Sequence, residues 1–190
     1  SNGNGGALSI MNGSVFTMYG GEIIGGTAEN AGAAVFVDKS CSANLLGGSI
    51  VADQQAEKLV YKAAGTGTLT LGGSVQVENL HLDTGVKLQL SGLLKEAAVG
   101  ISMSQADVFA TVADAALKDC FHPTQKGCKV DTLENGSQFD LVLLTGIHED
   151  HCVCAGALAV PEGHECQPVT WVGLTQQMFD EATESSSYVR

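Results

Sequence analysis

Arginine is all but missing from this chain: there is one, Arg190, in 190 residues. Proline is nearly as scarce, with three residues, all after position 122, and aromatic residues make up 5%. Nine basic residues face 21 acidic ones, for a net charge of −12. A nucleic-acid binder needs clustered Lys and Arg to displace counterions from phosphates, so this composition excludes that class and leaves no basic patch for anionic lipid. No run of about twenty apolar residues exists, so no membrane-spanning segment is expected. A charged and then apolar leader is also lacking. Instead Ser1-Asn2-Gly3-Asn4-Gly5-Gly6 reads as the interior of a glycine-rich repeat, and the chain is expected to be cut from a longer one.

What is abundant is glycine, and it is unevenly placed: 17 of 24 fall in residues 1–92. Three glycine pairs sit in similar surroundings: Met18-Tyr19-Gly20-Gly21-Glu22-Ile23, Leu45-Leu46-Gly47-Gly48-Ser49-Ile50 and Thr70-Leu71-Gly72-Gly73-Ser74-Val75, at offsets of 27 and 25. Gly6-Ala7-Leu8-Ser9-Ile10 is answered about one period later by Gly32-Ala33-Ala34-Val35-Phe36-Val37. A unit recurring at this interval is one supersecondary element stacked on copies of itself.

Between the glycines the apolar residues alternate in bursts of three to five, such as Val15-Phe16-Thr17-Met18, Val75-Gln76-Val77, Leu80-His81-Leu82 and Val86-Lys87-Leu88-Gln89-Leu90. Period two and β-branched content read as strands, with Asn12-Gly13 and Asp83-Thr84-Gly85 as turns. Several short strands in a turn of about 25 residues suit a parallel β-helix, each strand pairing with its counterpart roughly 4.8 Å along. The glycine pairs then serve as corners, and Glu22, Ser49 and Ser74 are expected to share one repeat position. A β-sandwich with glycine-rich hairpins is the competing reading, and the equal spacing disfavours it.

From Ser104 the pattern changes. Val108, Phe109, Val112, Ala115 and Ala116 follow helical spacing behind a Ser104 N-cap, which predicts a helix near 105–119 covering the solenoid. Phe139 to Leu144 reads as one more buried strand. The division expected is the C-terminal part of a β-helix over 1–147, a Cys/His-rich linker over 148–168, and the truncated start of a following module over 169–190.

The glycine-pair turns, the segment from Leu80 ending in Leu90-Ser91-Gly92-Leu93-Leu94, and the tail His151-Cys152-Val153-Cys154 through Gly163-His164 to Trp171 together resemble a known family. It is the right-handed parallel β-helix, pectin-lyase-like repeat regions of large secreted or surface-anchored proteins of gut Firmicutes. The resemblance implies an all-β right-handed solenoid with a short helical cap, an extracellular or cell-surface bacterial location, and a CxC/GH segment acting as linker between modules. It specifies fold better than activity. Polysaccharide lyases and glycosidases are distant relatives, and nothing here matches their catalytic sets.

Chemistry concentrates in the linker. Cys152-x-Cys154 and, with nine residues between, His164-x-Cys166 offer four soft ligands on two short arms that can close a tetrahedral zinc shell, with His148 and His151 as alternates. The competing reading of six cysteines is disulfides, and Cys120 and Cys128, with seven residues between them, could pair. Cys41, within a turn of the repeat, reads as a small buried hydrophobe. Glu149, Glu162 and Glu165 could assist a metal but read as solvated linker acids.

Glycan cleavage needs paired carboxylates on one face or an Asp cluster with a basic partner. The acids Glu22, Glu29, Asp38, Asp53, Glu57, Glu78 and Asp83 form no such ladder, and no catalytic residue is assigned. His81, between Leu80 and Leu82, is expected to face outward. Phe16 and Phe36 are expected in the core. The expected role is a structural or adhesive extracellular segment contacting host surface or glycan, able to oligomerise by stacking of solenoid ends or edges. An ancillary region of a carbohydrate-active enzyme, or a structural zinc module, are the alternatives.

Overall fold

The computed structural model of the chain describes residues 3–28, 31–54, 56, 58–93, 96–145, 147–148 and 152–153. The strands run β1 (Leu8–Ile10), β2 (Val15–Met18), β3 (Glu22–Gly25), β4 (Val35–Val37), β5 (Ser42–Leu45), β6 (Ser49–Ala52), β7 (Val60–Lys62), β8 (Leu69–Gly73), β9 (Gln76–Leu82), β10 (Leu88–Leu93), β11 (Ala98–Met103) and β12 (Val108–Val112). A short 3-10 helix, η1 (Ala115–Cys120), precedes β13 (Phe121–Pro123), β14 (Cys128–Asn135), β15 (Gln138–Thr145), β16 (Ile147–His148) and β17 (Cys152–Val153).

These strands wind into a parallel β-solenoid. One sheet stacks β1-β4-β7-β9-β11-β13, with β3 and β6 joined to it through β9, and a second stacks β10-β8-β5-β2. Every pair within the coil is parallel. Period-two alternation sends one side of each strand inward, so Val35, Val37, Leu45, Ile50, Val60, Leu71, Val77, Leu80, Leu82 and Ile101 belong to one buried core. Cys41 is fully buried in that core, as a small hydrophobe would be.

The glycine pairs are corners. In each, the second glycine takes the left-handed conformation, with φ of 90° at Gly21, 86° at Gly48 and 55° at Gly73, a region that costs an L side chain about 1–2 kcal/mol. The ladder beneath them differs from the sequence alignment in one respect. Ser49 pairs with Glu22 on one side and with Gln76 on the other, so Gln76 rather than Ser74 shares that position.

The turns also shorten along the coil. Leu8 pairs with Val35 and Val35 with Val60, offsets of 27 and 25, but Val60 pairs with Leu80 and Leu80 with Ile101, offsets of 20 and 21. In the first two turns β3 and β4, then β6 and β7, are separate strands divided by a connection. In the third, the seven-residue β9 spans both positions, pairing with β6 through Gln76 and Val77 and with β7 through Leu80, His81 and Lys62's partner Leu82. Losing that corner is what removes the residues from the period.

The expected helix over 105–119 is not formed. Residues 108–112 are strand β12, and the only helical piece there is η1, capped by Asp114, whose carboxylate accepts from the Ala116 N–H at 2.9 Å. β12 pairs antiparallel with β15, and β15 with β14, in a three-stranded sheet that packs on the last turns. The β-branched and aromatic residues Val108, Phe109 and Val112 satisfy a helical spacing and a strand equally. Pairing with Phe139–Val142 decides for the strand. Phe109 then meets Phe121 of the coil edge-on, with ring centroids 5.1 Å apart. The strand expected at Phe139 to Leu144 is the centre of this cap.

Candidate functional site

A half-open groove of about 620 Å³ runs across the outer face of the coil. Its floor comes from β9 and β11, one wall from the connection between β6 and β7 through Ala56 and Lys58, and the other from Thr124, Gln125 and Lys126 after β13. A β-bulge shapes the floor. Val99 pairs with Val77 and Ile101 with Leu80, so Glu78 and Asn79 together oppose the single residue Gly100. A Cβ on Gly100 would strike the carbonyl oxygen of Glu78 and the Thr124 side chain, so the strands approach here only because Gly100 has none.

The bulge turns Glu78 and Asn79 into the groove. The Glu78 carboxylate accepts the Ala52 N–H at 2.8 Å, and the Asn79 amide donates to the Ala56 carbonyl at 3.3 Å, tying the floor to the wall. On the far side the Gln125 amide both donates to the Met103 carbonyl at 3.3 Å and accepts the Met103 N–H at 3.2 Å. Glu78, Asn79 and Gln125 are thus held by backbone groups rather than left to solvent.

His81 lies at the centre of the floor. It stands on the face opposite the core, as alternation with Leu80 and Leu82 requires, but it is covered, being 5% exposed. Three ring planes stack along one ladder position: Phe36 on Tyr61 at 5.7 Å and Tyr61 on His81 at 5.5 Å, interplanar angles 4° and 7°. Phe36, expected in the core, is instead buried by this outer-face stack. The Lys58 ammonium lies over the Tyr61 ring at 5.4 Å.

Both ring nitrogens of His81 meet serine hydroxyls, Nδ1 with Ser102 Oγ at 2.9 Å and Nε2 with Ser104 Oγ at 3.0 Å. The protons follow from the network. Asp83 also takes the Thr84 N–H at 2.9 Å and the Ala64 N–H at 3.4 Å, and these bonds hold its carboxyl below the usual carboxylate range. An ionised Asp83 draws the Ser104 hydroxyl at 3.2 Å. His81 Nε2–H then donates to Ser104 Oγ and Nδ1 is left as an acceptor facing Ser102, whose one proton is shared with the Asn79 amide oxygen at 3.2 Å and the Leu80 carbonyl at 3.4 Å. Burial, reinforced by the Lys58 charge, lowers the His81 pKa to about 4, so the ring is neutral at neutral pH.

A hydroxyl–imidazole–hydroxyl–carboxylate chain has the order of a nucleophile relay. A general base works best with a pKa near the operating pH, and one held at about 4 is too weak to activate Ser102, itself 2% exposed, at neutral pH. The arrangement instead makes a rigid, neutral hydrogen-bonding floor. Lys58 and Lys126 supply positive charge at the two walls, and neither forms an ion pair among the described residues. The salt bridges there join Lys118 and Lys129 to Asp131.

Of the zinc ligands expected from sequence, the backbone describes two. β16 and β17 pair antiparallel with His148 opposite Cys152. His151, Cys154, His164 and Cys166 lie outside the described residues. Among the described residues no group of three or more His, Cys, Asp or Glu is placed to hold a metal ion. The alternative pairing of Cys120 with Cys128 is not formed: Cys128 is a half-buried free thiol whose pKa burial raises, and Cys120 is buried near the cap. No helix among the described residues is long and apolar enough to cross a membrane.

Sequence reasoning missed the groove. Its residues come from four successive turns and from a bulge, and no local motif joins them. The one signal present was the loss of the glycine pair after Gly73, where the turn shortens. Comparison of the chain with protein-family models, with curated proteins and with solved structures gives no match.

Proposed function

We propose that the chain is a structural and adhesive segment of an extracellular or cell-surface bacterial protein, in which the parallel coil is a rigid spacer and the groove over His81 is a contact surface for glycan. The observation that carries this reading is the groove: Glu78 and Asn79 on its floor and Gln125 on its wall, each held by backbone hydrogen bonds, present amide groups and a carboxylate beside the Lys58 and Lys126 ammonium groups. Sugar hydroxyls pair with such fixed groups without ordering them anew, which limits the entropy lost on binding. The resemblance to pectin-lyase-like β-helix repeats of secreted proteins adds the location. The test is titration of the chain with a panel of soluble polysaccharides by calorimetry, beside an Asn79→Ala, Gln125→Ala variant. Binding that the variant loses supports the reading; a panel without binding, or binding that the variant retains, refutes it.

A second reading concerns the C-terminal segment alone. It keeps the zinc site expected over Cys152, Cys154, His164 and Cys166, and the one supporting observation is that the register of β16 and β17 sets the alternate ligand His148 opposite Cys152. Metal analysis beside thiol titration decides it. About one zinc per chain with protected thiols is expected, and fully reactive thiols without metal would remove the proposal.

A further inference from the structure

We infer that Asn79 sets the chemistry of what the groove accepts: its side-chain oxygen takes a hydrogen bond from the ligand, so the group seated over it is a donor. A free hydroxyl or an amide N–H qualifies; an ester, an ether or a carboxylate does not. Resting on the glycan reading above, this narrows the ligand to glycans that present an unsubstituted hydroxyl or an N–H at that point.

The chain of groups behind Asn79 is one proton short. Four contacts link it: Asn79 Oδ1 to Ser102 Oγ at 3.2 Å, Ser102 Oγ to His81 Nδ1 at 2.9 Å, His81 Nε2 to Ser104 Oγ at 3.0 Å, and Ser104 Oγ to Asp83 Oδ1 at 3.2 Å. Each contact needs one proton, and both ends of the chain only accept. Asp83 is ionised, and the Asn79 amide nitrogen is spent on the Ala56 carbonyl at 3.3 Å, which turns the oxygen towards Ser102. Two hydroxyls and one neutral ring bring three protons to four contacts, so one contact goes without.

Charge and burial decide which. The bond to a carboxylate is the stronger, so Ser104 keeps its proton on Asp83 and the ring proton stays on Nε2. The single proton of Ser102 is then claimed by His81 Nδ1 and by Asn79 Oδ1, beside the Leu80 carbonyl at 3.4 Å. His81 is 5% exposed and Ser102 2%, so Nδ1 is all but sealed, and a sealed acceptor left bare costs more than one that faces the groove. Asn79 is half-buried and lines the groove. The shortage is therefore passed to its oxygen, the member of the set that a bound molecule can serve. A ligand donor there supplies the fourth proton, whereas a ligand oxygen without hydrogen meets it lone pair to lone pair. Fixed polar groups discriminate in this way because the wrong ligand leaves them unpaired. Gln125 on the opposite wall makes no such demand, since the Met103 backbone satisfies both ends of its amide.

Two measurements test the inference. The first needs no ligand: ring-nitrogen NMR of the 190-residue chain labelled in histidine, at neutral pH, with the His81 signals assigned by their loss in His81→Gln. A neutral ring protonated at Nε2 is expected. A ring protonated at Nδ1, or at both nitrogens, would overturn the inference, because Ser102 would then donate to Asn79 and satisfy it from within. The second is calorimetric titration with each polysaccharide of the panel, unmodified and O-acetylated. Acetylation should weaken binding to the unaltered chain about 10- to 100-fold, and an Asn79→Ala variant, checked for folding by circular dichroism, should bind the two forms alike. Equal affinity of the unaltered chain for both forms, or a preference that survives Asn79→Ala, would also overturn it. A panel without any binding refutes the glycan reading instead, and the ring spectrum then still decides where the missing proton falls.

Discussion

The first and the last described turns of the coil differ in what lies against them. At the far end the chain leaves the solenoid, lays an antiparallel sheet over the last turns, and buries Phe109, Leu141 and Leu143 in the common core. In the first turn β1 to β3 have no second partner strand among the described residues, and Val15 and Tyr19 are more than two-thirds exposed. The difference teaches that closure here is a property of a particular segment, not of the repeat. The repeat can only propagate, since every turn pairs through one strand edge and presents the other to the next turn, as β4 does between β1 and β7.

The comparison breaks first at its best-packed point. Phe109→Ala removes a fully buried ring at the joint of cap and coil and should cost about 3–5 kcal/mol, whereas Val15→Ala in the first turn should stay within about 0.5 kcal/mol. Urea unfolding of the two variants checks both. Similar losses would mean that the first turn is as buried in solution as the last.

Acidification probes the middle of the coil. His81 has a pKa of about 4 when folded and about 6.5 when free, so the unfolded chain binds more protons between those values. Stability from this group is fully present above about pH 6.5 and is lost as the pH falls towards 4. His81→Gln should flatten that part of the pH–stability curve, and an unchanged slope would show that the ring is not held neutral.

Gly100→Ala places a methyl group against the Glu78 carbonyl and should cost about 1–3 kcal/mol while deforming the groove floor. Lys62→Met tests the buried ammonium, which donates to the carbonyls of Ala63 at 2.8 Å and Asp38 at 3.2 Å and whose pKa burial lowers. A loss of about 1–3 kcal/mol is expected by thermal unfolding, since the Ala63 carbonyl then loses its donor. The smallest effect belongs to the first turn. Gly21→Ala, at φ 90° with nothing nearby, should cost about 1 kcal/mol from backbone conformation alone. Gly20→Ala, in the same pair without a positive φ, should be neutral within a few tenths. Equal costs for the two would contradict the corner geometry.

Much of the architecture was legible because its causes are local. Glycine at a left-handed corner, β-branched alternation in a strand and an Asn-Gly turn each state their geometry within a few residues. The segment near 105–119 was not, because Val108, Phe109 and Val112 fit a helix or a strand equally, and the partner that decides lies about thirty residues on, at Phe139 to Val142. His81 shows the same limit at one position. Alternation with Leu80 and Leu82 correctly sent it outward, but its burial comes from Tyr61, Ser102 and Ser104, which belong to neighbouring turns.

By itself, then, the sequence determined that the chain coils, that its strands are short, and that its net charge is −12. Those outcomes rest on backbone preference, side-chain period and composition, which act without regard to distant contacts. Only the tertiary structure decided where the coil closes, how the turn shortens at β9, and that a bulge opposite Gly100 opens a polar groove. Each of these depends on which strand edge meets which, and residues about 20 to 30 apart in the chain acquire a common chemistry only once the turns are stacked.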